Sequence, residues 1–268
     1  MMRILSCAVV IFLALLTSQA HSKVVGETVE YKTGGTVLRG YLAYDDSVKG
    51  KRPGVLLVHE WWGLNDYVKK RADMIAGLGY TALAVDMYGN GKNSEHPADA
   101  QKFAAEVMNN IAVGEKRFNA ALEFLKKQRT VNPDEIAAIG YCFGGAIVLH
   151  MARTGADLDG VVSFHGNLGS MYKAQPDTVK AKILVLTGGA DNYVPAEEVE
   201  AFRKEMDAAH ADYEIIVYPG AKHSFTNPDT DRLGKENNLS DAYNEDADKK
   251  SWAEMKEFLK SIFQTGSN

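Results

Sequence analysis

"AAIGYCFGGAIVLHMA" (residues 137–152) changes its period in the middle. Its first part continues the apolar run "EIAAIGYC" (135–142), as in a strand buried on both faces, whereas from Phe143 onward the apolar residues fit a helix. The change falls on Gly140-Tyr141-Cys142-Phe143-Gly144, glycine-x-nucleophile-x-glycine, the pattern of a sharp strand-to-helix turn. The glycines give room, because side chains at 140 and 144 would press on neighbouring backbone. Such a turn lifts the Cys142 sulfur out of the sheet and leaves it at a helix N-terminus, where the dipole and free N–H groups favour a thiolate. A lone cysteine is commonly a small buried hydrophobe; this context points instead to a nucleophile.

The same theme recurs on either side. Short apolar runs at "PGVLLVHE" (53–60), "YTALAVDMYG" (80–89), "LDGVVSFHG" (158–166), "AKILVLTGGAD" (181–191) and "YEIIVYPGAKH" (213–223) alternate with helical patterns at 66–78, 113–127, 143–153 and 195–209. A last amphipathic helix is expected from about Tyr243 to Phe263. Strands buried on both faces and alternating with helices imply a mostly parallel sheet with helices on both sides, an α/β fold. Before them, "ETVEYK" and "TVLRGYLAY" around "TGG" read as an antiparallel hairpin. Two polar stretches break the rhythm: "GNGKNSEHPADA" (89–100), entering a helix through Pro97, and residues 226–250. Loops of that length are commonly functional or mobile.

The N-terminus, "MMRILSCAVVIFLALLTSQA", has one early cation, an apolar run from Ile4 to Leu16 and a Ser18-x-Ala20 ending. It has the form of a signal peptide, with cleavage expected after Ala20; the alternative, an uncleaved anchor, would want a longer apolar run. The expected organisation is a signal segment, 1–20, and one domain, 21–268, exported to the periplasm or beyond. Removing the segment removes Cys7 and leaves Cys142 as the single thiol, so no intramolecular disulfide is possible. A net charge of -5, with lysines scattered among acids, offers no basic face for nucleic acid. No stable membrane association is expected after cleavage, and the assembly is expected to be a monomer or a small homo-oligomer.

Ligands of open parallel sheets bind outside the carboxyl ends of the strands. Glu60, Asp86, Cys142, His165, Asp191 and His223 each end one of the runs. A thiol nucleophile needs a base, and the base needs an orienter. In the chain order nucleophile, acid, histidine, Asp191 and His223 fit. His223 would take the thiol proton and Asp191 would hold the imidazole in the required tautomer. Separately, Asp191 could cap the helix near Pro195, and His223 could be an exposed loop residue. His59 and His165 are read as pocket-lining or structural, His150 as part of the helix after the elbow, and His96 and His210 as surface. Neither H-E-x-x-H nor C-x-x-C occurs, so neither a metal nor a cofactor is expected.

In that order, "HEWWGLND", "VDMYG", "GYCFGG", "GADNYVP" and "AKHSF" resemble the dienelactone hydrolase family of α/β-hydrolases, from about residue 28 to 263. The resemblance implies a Cys142, Asp191, His223 triad that hydrolyses lactones or esters through a thioester acyl-enzyme. It implies that Glu60 pairs with the thiol proton in the resting site and that the backbone N–H groups of Phe143 and Trp61 form the oxyanion hole. It also implies that Trp61, Trp62, Tyr88 and Phe225 line the pocket; aromatics beside strand ends are equally ordinary core residues. The chain departs from the family at two places. Members that act on dienelactones commonly carry an arginine two residues beyond the "DLY"-like tyrosine and another four residues after the histidine, where this chain has Asn90 and Asn227. Amides offer no charge-assisted grip on a carboxylate, so neutral esters or lactones are the expected substrates unless Lys92 or Arg232, both in the polar loops, supplies a cation instead. A non-catalytic ligand-binding protein on the same scaffold is the competing expectation. A thiol redox protein would want a resolving cysteine, which signal cleavage removes.

Overall fold

The computed structural model describes residues 23–264, so the expected signal segment lies outside the described residues. Gly34 and Gly35, with φ of 53° and 81°, turn the chain between β1 (Val24–Thr33) and β2 (Thr36–Asp45). Two consecutive positive φ values let a two-residue turn follow the twist of its strands, and Thr33 pairs with Thr36 across it. β2 lies antiparallel to β4 (Thr81–Val85). From there every pairing is parallel, through β3 (Arg52–Val58), β5 (Val131–Tyr141), β6 (Gly160–Phe164), β7 (Lys182–Gly188) and β8 (Tyr213–Tyr218). The strand order is β1-β2-β4-β3-β5-β6-β7-β8.

The central strands are continuous apolar runs because both faces are covered. Leu56 and Val58 of β3 face one core, with Phe118 and Leu122 of α3 (Ile111–Lys126), Ile147 and Met151 of α4 (Phe143–Arg153) and Phe202 of α5 (Ala196–Ala208). Val55 and Leu57 face the other, with Val68 and Ile75 of α1 (Asp66–Ala76) and Met255 and Leu259 of α7 (Glu245–Gln264). No helix among the described residues is long and apolar enough to cross a membrane.

Two elements differ from the sequence reading. β5 begins at Val131, ahead of the apolar run, because its pairing with β3 continues across a register shift at Pro53/Gly54. The 226–250 stretch, read as a polar segment, contains α6 (Thr230–Asn237). Its Leu233 packs with Trp62 and with Ala100 of α2 (Pro97–Met108). A single buried leucine in eight residues leaves no periodicity to read.

Candidate active site

Cys142 joins β5 to α4 with φ 54° and ψ −115°, a strained conformation for a residue with a side chain. The glycines admit it. A Cβ on Gly140 would stand 2.0 Å from Gly144 O, and one on Gly144 would stand 2.2 Å from Val58 O. Cys142 N–H donates to Phe164 O at 3.0 Å and Gly144 N–H to His59 O at 3.1 Å, so the elbow is tied to β6 and to the end of β3. Phe143 is the first residue of α4, and an N–H at that position has no intrahelical acceptor.

The loops after β7 and β8 bring Asp191 and His223 to the sulfur. His223 Nε2 lies 3.1 Å from Cys142 Sγ, and Nδ1 lies 2.8 Å from Asp191 Oδ2. Tyr193 N–H donates to Asp191 Oδ1 at 2.8 Å, which fixes the carboxylate. Burial alone would push His223 down; the sulfur and Asp191 outweigh it and hold the imidazole well above its ordinary range. The His223 loop is anchored from three sides through Thr226. Arg71 Nη2 donates to its carbonyl at 2.6 Å, while its hydroxyl meets Tyr67 Oη at 2.7 Å and His165 Nε2 at 2.8 Å.

Glu60 is 2% exposed. Its Oε2 accepts from Asn227 Nδ2 at 2.7 Å and its Oε1 has no hydrogen-bond partner. Burial pushes this carboxyl up to about 7. The Glu60 carbonyl accepts from His59 Nδ1 at 2.6 Å and from Gly63 N–H at 3.1 Å. A trans peptide sets its N–H opposite its carbonyl, so these two bonds fix the direction of the Trp61 N–H. Burial pushes His59 down to about 4, leaving it neutral, and its Nε2 takes the Met87 N–H at 3.4 Å. Tyr88 Oη donates to Trp61 O at 2.9 Å from the other side.

A cavity of about 300 Å³ opens over Cys142, walled by Trp61, Met108, Phe143, Ala146, Asn167 and Tyr193, with His223 and Asp241 at one side. The remaining sequence candidates lie off this wall. Trp62 is buried against Ala100 and Leu233. Phe225 is buried against His165 and Tyr218, with ring centroids at 5.2 and 5.5 Å. Tyr88 is buried behind Trp61, and Asn227 is turned to Glu60. Asn90 is exposed, and its N–H donates to Val37 O at 2.9 Å. Asp86, another strand-end acid, caps its own loop, accepting from Gly89 and Gly91 N–H groups at 2.7 Å each.

Sequence reasoning passed over Met108, Ala146, Asn167, Tyr193 and Asp241. Asn167 follows β6 and Tyr193 follows Asp191, so the strand-end rule reaches both. Met108 and Asp241 come from segments with no motif of their own. Among the described residues no group of three His, Cys, Asp or Glu side chains is placed to hold a metal ion.

Residues 38–263 match the model of the dienelactone hydrolase family. The chain belongs to that family. Protein usf of Aquifex pyrophilus is 31% identical over 225 residues, covering 82% of this chain and 95% of that protein. A protein of Aquifex aeolicus provisionally named a carboxymethylenebutenolidase is 29% identical, covering 76% of this chain and 88% of its own. Among solved structures, a dienelactone hydrolase-like promiscuous phosphotriesterase from metagenomic libraries superposes with a TM-score of 0.83 at 34% identity, covering 89% of this chain and 98% of that one. The fold is therefore the α/β-hydrolase fold, with an N-terminal antiparallel pair on a mostly parallel sheet, and this dienelactone hydrolase family member is a hydrolase of lactone or ester bonds.

Proposed function

We propose that the enzyme works through Cys142, His223 and Asp191 by way of a thioester acyl-enzyme. The observation that carries this is the unbroken hydrogen-bonded chain Sγ···Nε2 and Nδ1···Oδ2, at 3.1 and 2.8 Å, opening into a cavity. His223 Nε2 takes the thiol proton and the thiolate attacks the substrate carbonyl carbon. The negative charge that develops on the carbonyl oxygen is met by the N–H groups of Phe143 and Trp61. As the tetrahedral state collapses, the bond to the leaving oxygen breaks and His223 passes that oxygen the proton. Water then gives a proton to His223 and attacks the thioester; the carboxylic acid leaves, and the proton returns to sulfur. Asp191 holds the tautomer in which Nε2 faces the thiol, and stabilises the imidazolium.

Glu60 belongs to the same proposal as the group that sets the resting protonation of the thiol; its unpartnered oxygen and its raised carboxyl support an exchangeable proton there. The preferred substrates are uncharged, because among the described residues no lysine or arginine walls the cavity, whereas Asp241 does. Export with loss of residues 1–20 is also proposed, on the apolar run from Ile4 to Leu16 and its Ser18-x-Ala20 ending.

The test is turnover of p-nitrophenyl esters and neutral lactones by the wild type, Cys142→Ala and His223→Ala. Each substitution is expected to lower kcat on the order of 10⁴-fold or more, and Cys142→Ser should keep a trace. Alkylation of Cys142 should abolish activity, and substrate should slow it. Turnover that persists in Cys142→Ala would sink the thiol mechanism.

A further inference from the structure

The cavity over Cys142 continues beyond its own wall. Met108, Ala146 and Asn167 also line a second hollow of about 440 Å³, whose farther side is formed by Ile111, His150 and Tyr172, with Met171 at its mouth. This hollow follows one face of α4. Cys142, Ala146 and His150 are spaced four residues apart, so they stack along one side of the helix. Ala146 lies at the junction of the two spaces together with Met108 and Asn167, and its own side chain there is a methyl group. From Cys142 to His150 the helix advances about 12 Å, long enough to hold an extended acyl chain of roughly eight carbons.

The surface of this groove is apolar and open. Met108 and Tyr172 are 43% and 42% exposed, and Met171 is fully exposed. Methionines make an adaptable lining for a flexible chain. His150 does not make the groove polar: its Nε2 is taken by Glu115 Oε1 at 2.7 Å, and its ring lies edge-on to Tyr172 at 5.7 Å. Contiguous exposed apolar surface that joins a catalytic cavity marks a ligand path rather than a random patch.

Direction decides which half of the substrate enters. His223 must protonate the leaving oxygen, and it lines the first cavity beside Tyr193 and Asp241; none of the three lines the second. The leaving alcohol therefore sits on the His223 side, and the acyl part turns toward Ala146. We infer that the groove from Ala146 to Tyr172 is an acyl-chain subsite, and that esters of uncharged medium-chain acyl groups are the preferred substrates. This inference rests on the thiol-hydrolase reading of Cys142.

The experiment compares p-nitrophenyl acetate, butanoate, hexanoate and octanoate in wild type, Met171→Glu and Tyr172→Ala, below the micellar range of each ester. In wild type kcat/KM should rise about two- to fourfold per methylene buried. The variants should flatten that rise, so that the octanoate-to-acetate ratio falls at least tenfold. A flat series in wild type, with Cys142-dependent acetate turnover intact, overturns the subsite alone. An equal loss on every ester in both variants overturns it as well. Absence of all turnover defeats the thiol-hydrolase reading instead, and the subsite is then decided by calorimetric binding of octanamide to Cys142→Ala. Tenfold weaker binding after adding Met171→Glu supports it; unchanged binding overturns it.

Discussion

Glu60 carries a carboxylate into a buried place where Asn227 donates to one oxygen at 2.7 Å and Ser224 stands near enough to lower its pKa weakly. Burial is the leading cause of its rise from an ordinary 4.5 to about 7. A carboxyl raised on folding binds more protons in the native than in the unfolded chain between those two values, so this group's contribution to stability falls as pH rises from 4.5 through 7. Glu60→Gln keeps an acceptor for Asn227 and removes the titration. Its melting temperature should match the wild type near pH 4 and exceed it increasingly toward pH 8, by up to about 3 kcal/mol in unfolding free energy. Parallel melting curves across that range would mean that Glu60 ionises without cost. If Glu60 also governs the thiol proton, the same variant shifts the pH profile of Cys142 alkylation, whereas a purely structural Glu60 leaves that profile where it is.

The strand-to-helix turn leaves no room for a side chain at its glycines. A Cβ at Gly144 would meet Val58 O at 2.2 Å and His59 O at 2.7 Å, both backbone atoms at the end of β3 that no rotamer change can move. Gly144→Ala must therefore displace α4 from the sheet, at a cost of about 3 kcal/mol or more. Urea denaturation should show that loss, and Cys142 should lose activity even in the folded fraction, because Phe143 N–H moves with the helix. This turn was also the most legible part of the sequence, since its glycines, nucleophile and change of period lie within one short stretch. Asp191 and His223 were legible because each lies in the loop that follows a strand, and the chain order suggested the roles proposed for them. Thr226, Arg71 and Asp241 were not. Arg71 and Thr226 are 155 residues apart and meet only through packing of α1 under the His223 loop, and no local pattern announces such a bond. α6 escaped notice for the opposite reason, having one buried leucine in a polar helix.

At the scale of the whole molecule, two consequences of the charge and the termini can be measured. The proposed export calls for protein from the native envelope that begins near His21 by intact mass; a chain retaining Met1 in a membrane fraction would mean that residues 1–20 stay as an anchor. The other consequence concerns the substrate. The full chain carries a net charge of -5, and the cavity wall has one carboxyl, Asp241, beside the His223 imidazole. Asp241 stands on the wall, and burial is the largest of the causes that raise its carboxyl. Arg232 is engaged by Glu95 and Glu236 at 3.1 and 2.9 Å, and Lys92 lies over the Phe103 ring at 5.5 Å; neither walls the cavity. Asn227 gives an amide N–H to Glu60. A substrate carboxylate about 7 Å from Asp241 would be repelled by roughly 2 kcal/mol at an effective dielectric constant near 20, on the order of a tenfold to hundredfold loss in kcat/KM. The comparison that checks this is a lactone carboxylate against its own methyl ester, at mildly alkaline pH. The methyl ester should be preferred by at least tenfold, and added salt should narrow the gap by screening the repulsion felt by the anion alone. Asp241→Asn should narrow it further, without needing salt. A preference for the anion that salt weakens would reveal a cation acting at the site and would overturn the assignment of uncharged substrates.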